Sequence, residues 1–210
     1  EKHGVKVKGA TVAVQGLGNV GRYAALVCQE LGMKVIAISD VTGGIINPKG
    51  IDIAAIFSHS TLATVENEER VNAGEVLEMK CNVLIPAALG GVITDSNCGK
   101  INADFIIEGA NQPLTISADL ELRGQGVIIV PDILANSGGV MGSYFEWTQN
   151  IQEFSWPIEK FRRELDERME KSFANVHKVS KKYSVDLRTA AFIVSVERVA
   201  HAFELRGSLV

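Results

Sequence analysis

Five short apolar runs, separated by segments with helical spacing, constrain this 210-residue chain more than any other feature. The runs are rich in Val and Ile and lack the strict polar–apolar alternation of a strand with one solvent-exposed face. Such nearly continuous hydrophobicity is typical of strands that are buried on both faces of a parallel sheet. The runs cover residues 11–14, 35–38, 83–85, 105–107 and 127–130.

Helical patterns lie between these runs and fill the last third of the chain. Apolar spacing predicts a helix over residues 20–31, ended by Gly32. Two further helices are predicted from residue 158 onward and over residues 187–206. We therefore expect a doubly wound α/β fold of the Rossmann type, with a mostly parallel sheet over residues 1–150 and a C-terminal helical extension over residues 151–210.

A glycine-rich string, G-L-G-N-V-G at residues 16–21, follows the first predicted strand and opens the first helix. In that setting the G-x-G-x-x-G motif predicts dinucleotide binding. Gly16 would permit a tight turn, Gly18 would let the backbone approach a pyrophosphate, and Gly21 would let the helix pack close to the strand. The alternative is a purely structural turn.

Asp40 lies at the end of the second predicted strand. An acid at this place accepts hydrogen bonds from the adenosine ribose of a dinucleotide. Its carboxylate would also repel a 2′-phosphate, and neither Lys nor Arg occurs from residue 41 to residue 48, so that Lys49 is the nearest cation in the sequence. The sequence therefore favours NAD over NADP.

The later apolar runs stop at small or amide residues. In an open parallel sheet, ligands bind beyond the carboxyl ends of the strands. The small side chains of Ala87 and Ala88 would leave room for a flat ring, and the amides of Asn111 and Asn136 could hold a carboxamide or ribose hydroxyls. A helix N-cap is an equally good interpretation of Asn136.

Composition and charge disfavour several other classes of protein. The net charge of −4 argues against nucleic acid as a partner, and no apolar run reaches the length of a membrane span. The three cysteines, Cys28, Cys81 and Cys98, have the spacing of neither a zinc site nor a disulfide framework. We expect reduced thiols in a cytoplasmic protein without a metal site.

Several strings together resemble one enzyme family. Q-G-L-G-N-V-G at 15–21, I-P-A-A at 85–88, E-G-A-N at 108–111 and N-S-G-G-V at 136–140 resemble the amino-acid dehydrogenases that act on Glu, Leu, Phe or Val. S-Y-F-E-W-T-Q-N at 143–150 and E-L-R-G at 204–207 are similar to the hexameric glutamate dehydrogenase branch. The resemblance covers nearly the whole chain.

The resemblance implies roles for individual residues. Asn111 and Asn136 would position the nicotinamide ribose and carboxamide. Val140 and Ser143 would face the substrate, with the Ser143 hydroxyl on its γ-carboxylate. The implied cofactor-binding residues are Gly16, Gly18, Asn19, Val20, Gly21, Asp40, Ala87, Ala88, Asn111 and Asn136.

The implied reaction is the reversible oxidative deamination of L-glutamate to 2-oxoglutarate and ammonia, with hydride transfer to NAD. In the family it needs a lysine in a Gly-rich segment and an aspartate, both from a preceding domain, and Lys49 stands in no such setting. Because the chain also begins at Glu1 without an initiator Met, we expect a fragment of a homo-oligomeric enzyme. It should bind NAD(H) but be inactive alone, with no catalytic residue of its own.

Two alternatives remain open. The chain could belong to another amino-acid dehydrogenase, such as one for leucine, although an apolar residue at the position of Ser143 would have favoured that choice. It could also be a non-catalytic NAD-binding regulatory module.

Overall fold

The computed structural model describes residues 4–66 and 68–207, and within them the chain alternates strands and helices. The strands are β1 (Thr11–Gln15), β2 (Lys34–Asp40), β3 (Gly43–Ile46), β4 (Glu69–Val71), β5 (Cys81–Pro86), β6 (Ala103–Ile107) and β7 (Ile128–Val130). The helices are α1 (Asn19–Glu30), α2 (Ile53–Ile56), α3 (Ile116–Gly124), α4 (Asp132–Ala135), α5 (Ser137–Gln152), α6 (Ile158–Tyr183) and α7 (Leu187–Arg206). Short 3-10 helices cover Leu62–Thr64, Ala73–Val76 and Cys98–Lys100.

The strands form one seven-stranded sheet in the order β4-β3-β2-β1-β5-β6-β7. Strands β2, β1, β5, β6 and β7 run parallel, and β3 and β4 add two antiparallel strands at the β2 edge. The chain first moves to one side of β1 and then returns to its other side as β5. This reversal places a topological switch point between the carboxyl ends of β1 and β5, where an open sheet of this kind binds ligands.

Both faces of the sheet are buried, as the nearly continuous apolar runs predicted. Val12 and Val14 pack on one face with Ala25 of α1, whereas Ala13 packs on the other face with Leu122 of α3. Helices therefore cover the sheet on both sides, which confirms the doubly wound α/β fold. Among the described residues, no helix combines the length and the apolar character that a membrane crossing needs.

Residues 133–207 form a second compact unit, built mainly from α5, α6 and α7. Its centre is Phe145, which is 1% exposed and packs edge-to-face on Phe161 with 5.5 Å between the ring centroids. Asp186 caps α7 by accepting a 3.0 Å hydrogen bond from the Thr189 backbone N–H. The two units divide after residue 132, before the predicted boundary at residue 150, and α5 runs through that position.

Candidate dinucleotide-binding site

The glycine string forms the turn from β1 into α1, at the switch point of the sheet. Gly16 has a φ of 108°, a left-handed conformation that favours glycine. A Cβ on Gly16 would lie 2.8 Å from the Cβ of Ala88 and 3.0 Å from its backbone nitrogen. Glycine at this position therefore lets the end of β1 pack directly against the segment that follows β5.

Gly21 and Gly18 differ sharply in their surroundings. A Cβ on Gly21 would lie 1.9 Å from the carbonyl oxygen of Gly16, so only glycine lets α1 start this close to the turn. A Cβ on Gly18 would meet no protein atom within 4 Å. The N-cap of α1 is Gly18, which has no side chain with which to cap the helix. The first turn of this helix contains no acidic residue. The positive end of the helix dipole thus faces open space beside Gly18.

Two further strand ends border this space. The backbone N–H of Ala87 donates to the carbonyl of Gln15 over 2.8 Å, and that of Ala88 donates to the Gln15 side chain over 3.3 Å. A Cβ on Gly109, beyond β6, would lie 3.2 Å from both Ala87 Cβ and Val20 Cγ1. The structure therefore brings the glycine turn, with Asn19 and Val20 exposed at the helix start, together with Ala87 and Ala88.

Asp40 stands at the carboxyl end of β2, as the sequence indicated. Its Oδ1 accepts bonds from the backbone N–H and the hydroxyl of Thr42, over 2.7 and 2.6 Å, and its Oδ2 accepts from the Leu62 N–H over 2.6 Å. Burial raises the pKa of this carboxyl, but these bonds and the charge of Arg70 outweigh it, so that the pKa lies below its usual value. Asp40 is therefore ionised at neutral pH.

Two arginines fix the segment of residues 57–65 beside Asp40. Arg22 of α1 donates to the carbonyls of Phe57 and His59, the latter over 2.8 Å. Arg70 of β4 donates to the carbonyl of Val65 over 2.6 Å. Together with the bond from Leu62 to Asp40, these contacts hold the segment beside the carboxyl end of β2.

Arg70 is a residue that the sequence analysis missed. The sequence singled out Lys49 as the nearest cation, but among the described residues it is Arg70 whose charge acts on Asp40. Arg70 pairs with Ile45, and Ile45 pairs with Ile38 of β2, so the antiparallel pairing of β4, β3 and β2 brings Arg70 near Asp40. No linear spacing signals such a pairing.

Glu108 is a second residue that the sequence analysis missed. It is fully buried just beyond β6, and its Oε2 accepts a 2.7 Å bond from the backbone N–H of Asp132. Asp132 in turn accepts a 2.8 Å bond from the N–H of Gln112 through its own Oδ2. These bonds border Asn111, which is exposed at the carboxyl end of the sheet.

The remaining predicted site residues lie in the second unit. Asn136 occupies the N-cap position of α5 but makes no side-chain capping bond there. Val140 and Ser143 lie on the exposed side of the same helix, and the Ser143 hydroxyl donates to the Gly139 carbonyl over 3.2 Å. Among the described residues, no group of His, Cys, Asp and Glu side chains could hold a metal ion.

Comparisons with known proteins point to one family. The model of the Glutamate/Leucine/Phenylalanine/Valine dehydrogenase family matches residues 1–207. The glutamate dehydrogenase of Thermotoga maritima is 48% identical over 209 residues, which are 97% of this chain and 50% of that protein. The chain therefore spans about half the length of this curated relative.

Solved structures agree with the sequence match. The hetero-hexameric glutamate dehydrogenase from Thermus thermophilus in its Leu-bound form superposes with a TM-score of 0.91 at 33% identity, over 100% of this chain and 50% of that one. The glutamate dehydrogenase of Peptoniphilus asaccharolyticus gives a TM-score of 0.81 at 32% identity, over 98% of this chain and 49% of that one.

The two glycines allow a stability test that does not depend on any ligand. Gly21→Ala should lower the free energy of unfolding by about 1–3 kcal/mol, because its Cβ overlaps the Gly16 carbonyl oxygen. Alanine inside a helix would otherwise stabilise it by up to about 1 kcal/mol relative to glycine. Gly18→Ala, whose Cβ meets open space, is the matched control and should change stability by less than about 0.5 kcal/mol. Equal denaturation midpoints for Gly21→Ala and the wild type would contradict this packing.

Proposed function

Because this chain belongs to the Glutamate/Leucine/Phenylalanine/Valine dehydrogenase family, we propose that it is the coenzyme-binding part of an NAD-dependent glutamate dehydrogenase. The observation that supports coenzyme binding best is the open space beside Gly18. It lies at the switch point of the sheet, and the uncapped start of α1 faces it. Backbone N–H groups and a helix dipole in that arrangement bind a pyrophosphate.

The adenosine half of the coenzyme would lie on the β2 side of the switch point. Asp40 would accept a hydrogen bond from the adenosine ribose. A carboxylate offers about four acceptor positions, and Thr42 and Leu62 use three of those of Asp40, so roughly one is left for a ribose hydroxyl. The segment of residues 57–65 would form the wall beside that ribose.

The nicotinamide half would lie on the other side, beyond β5, β6 and β7. The small side chains of Ala87 and Ala88 leave room there, and Asn111 and Asn136 would hold the ribose and the carboxamide. When bound, the nicotinamide supplies the hydride chemistry. The protein residues bind it, orient it and exclude water.

The substrate of the full-length enzyme would be L-glutamate, deaminated oxidatively to 2-oxoglutarate and ammonia. Val140 and Ser143 would contact it from α5, where the Ser143 hydroxyl would exchange its 3.2 Å bond to the Gly139 carbonyl for a charge-assisted bond to the γ-carboxylate. Since the Thermotoga relative is about twice as long, we propose that a further domain of an oligomeric enzyme supplies the catalytic lysine and aspartate. The chain by itself would then bind coenzyme without turnover.

The first functional prediction concerns the chain by itself. Calorimetric titration should show NADH binding, and an assay with glutamate and NAD should show no turnover above background. Gly18→Ala should remain folded and yet weaken NADH binding, because its Cβ would occupy the space proposed for the pyrophosphate. Turnover that persists after host enzyme has been excluded would overturn the claim of inactivity, and wild-type protein that binds no NADH would overturn the proposed function.

The second prediction concerns coenzyme preference. An ionised Asp40 should repel a 2′-phosphate, so NADH should bind more tightly than NADPH. Asp40→Ser should narrow the difference by about 1–2 kcal/mol, the size expected for a partly solvated charge pair. Asp40→Asn is the matched control for structure, since it keeps an acceptor oxygen for Thr42 or Leu62 while removing the charge.

The measurement is a pair of titrations at low salt, with NADH and with NADPH. Because the pKa of Asp40 lies below its usual value, its charge stays constant between about pH 7 and pH 8. A phosphate monoester, with a second pKa of about 6, is also almost fully ionised there, so the preference should change little over that range. Equal affinity of the wild type for the two coenzymes would show that Asp40 does not set the preference.

The third prediction concerns substrate and needs the full-length enzyme. Ser143→Val should lower kcat/KM for glutamate by about ten- to a hundredfold, since a poorly paired carboxylate costs roughly 1.5–3 kcal/mol. Norvaline lacks the γ-carboxylate and should lose much less, and NADH binding should hardly change. The deciding quantity is kcat/KM for glutamate divided by kcat/KM for norvaline, compared between the mutant and the wild type. An unchanged ratio would make Ser143 structural and would reopen the choice among amino-acid substrates.

A further inference from the structure

The buried carboxylate of Glu108 begins a chain of hydrogen bonds at the carboxyl end of the sheet. Glu108 has no exposed surface, and a buried carboxyl group is tolerated only where hydrogen bonds replace water. Its Oε2 accepts from the backbone N–H of Asp132, at the start of α4. The end of β6 is thereby tied to the turn that follows β7.

Asp132 is also hydrogen-bonded to the turn at residues 111–112. Its Oδ2 accepts the Gln112 N–H over 2.8 Å. Gln112 has a φ of 46°, a left-handed conformation that is unfavourable for a residue with a side chain and needs support from its surroundings. The bond to Asp132 provides such support.

The loop after β5 holds the same turn from the opposite direction. The Gly91 N–H donates to the Gln112 carbonyl over 2.8 Å. A Cβ on Gly90 would lie 2.9 Å from the Asn111 carbonyl oxygen, so the two backbones are in close contact. The position of Asn111 is thus set by packing on one side and by Asp132 on the other.

We propose that Asp132, anchored by Glu108, is a positioning residue for the nicotinamide half of the coenzyme. The inference rests on the proposed coenzyme function. Asp40 marks the adenosine half on the β2 side of the switch point, so the other half must lie beyond β5, β6 and β7, where the 111–112 turn stands. Asp132 acts through that turn, by fixing the backbone from which the Asn111 side chain extends.

The test compares a whole coenzyme with its adenosine half. Asp132→Ala removes the acceptor of the Gln112 N–H and should weaken NADH binding by about tenfold, while ADP affinity stays within about twofold. Asp132→Asn keeps an oxygen acceptor and should restore NADH binding. The fluorescence of bound NADH, which reports the surroundings of the nicotinamide, should change in Asp132→Ala and return in Asp132→Asn. A variant that had lost only overall stability would weaken NADH and ADP binding alike, so the ratio of the two affinities would stay at its wild-type value.

The matched control is Asp104→Ala, near the amino end of β6 and therefore at the opposite end of the strands from Asp132. Asp104 is exposed and accepts a 2.7 Å bond from the Asn82 side chain, and its loss should affect neither ligand. If Asp132→Ala does not fold, Asp132→Ser retains a hydroxyl for the first turn of α4 and should give the same loss. Equal weakening of NADH and ADP, or no weakening of NADH, overturns the proposal. Wild-type protein that binds neither ligand refutes the proposed function itself.

Discussion

The close approach of α1 to the end of β1 is the contact on which the rest of the site depends. A Cβ on Gly21 would lie 1.9 Å from the Gly16 carbonyl oxygen, so the helix can begin here only because position 21 is glycine. This packing aims the start of α1 at the switch point, between β1 and β5. The space beside Gly18 stays open as a result. One steric requirement thus explains both the packing of α1 on β1 and the place where we propose that the pyrophosphate binds.

The features that the sequence predicted well are those encoded in local periodicity. Five buried parallel strands were predicted from apolar runs, and the first and last helices begin and end within a residue of their predicted bounds. The antiparallel pair of β3 and β4 was not predicted. Its strands are three or four residues long, and β3 starts with Gly43 and Gly44. The pair depends on packing with residues distant in sequence. Gly44 lies so close to the Val76 side chain that a Cβ on Gly44 would be 2.7 Å from it.

The same distinction separates the candidate site residues that the sequence indicated from those it missed. Glycines, a strand-end acid and amides at strand ends have a known position relative to their own strand, so the motif predicts where they stand. Glu108 and Arg70 act on partners that only the folded sheet brings near. Glu108 lies directly after an apolar run, and a charge there is the one signal that could have drawn attention to it. Its hydrogen-bond partner, the backbone N–H of Asp132, lies 24 residues further along the chain.

Coenzyme preference illustrates why a rule based on one residue is incomplete. The carboxylate of Asp40, which we propose binds the ribose, also accepts the Leu62 N–H that holds the segment of residues 57–65. Arg70 binds the far end of that segment, through Val65, and its charge acts on Asp40. A 2′-phosphate would therefore meet a carboxylate whose charge is partly balanced by a neighbouring cation. Replacing Asp40 would remove its repulsion of the 2′-phosphate, which favours NADPH binding. The same change would remove the bond to Leu62 and loosen the segment of residues 57–65, which disfavours binding. The proposed coenzyme preference would thus depend on Asp40, the segment of residues 57–65 and Arg70 together.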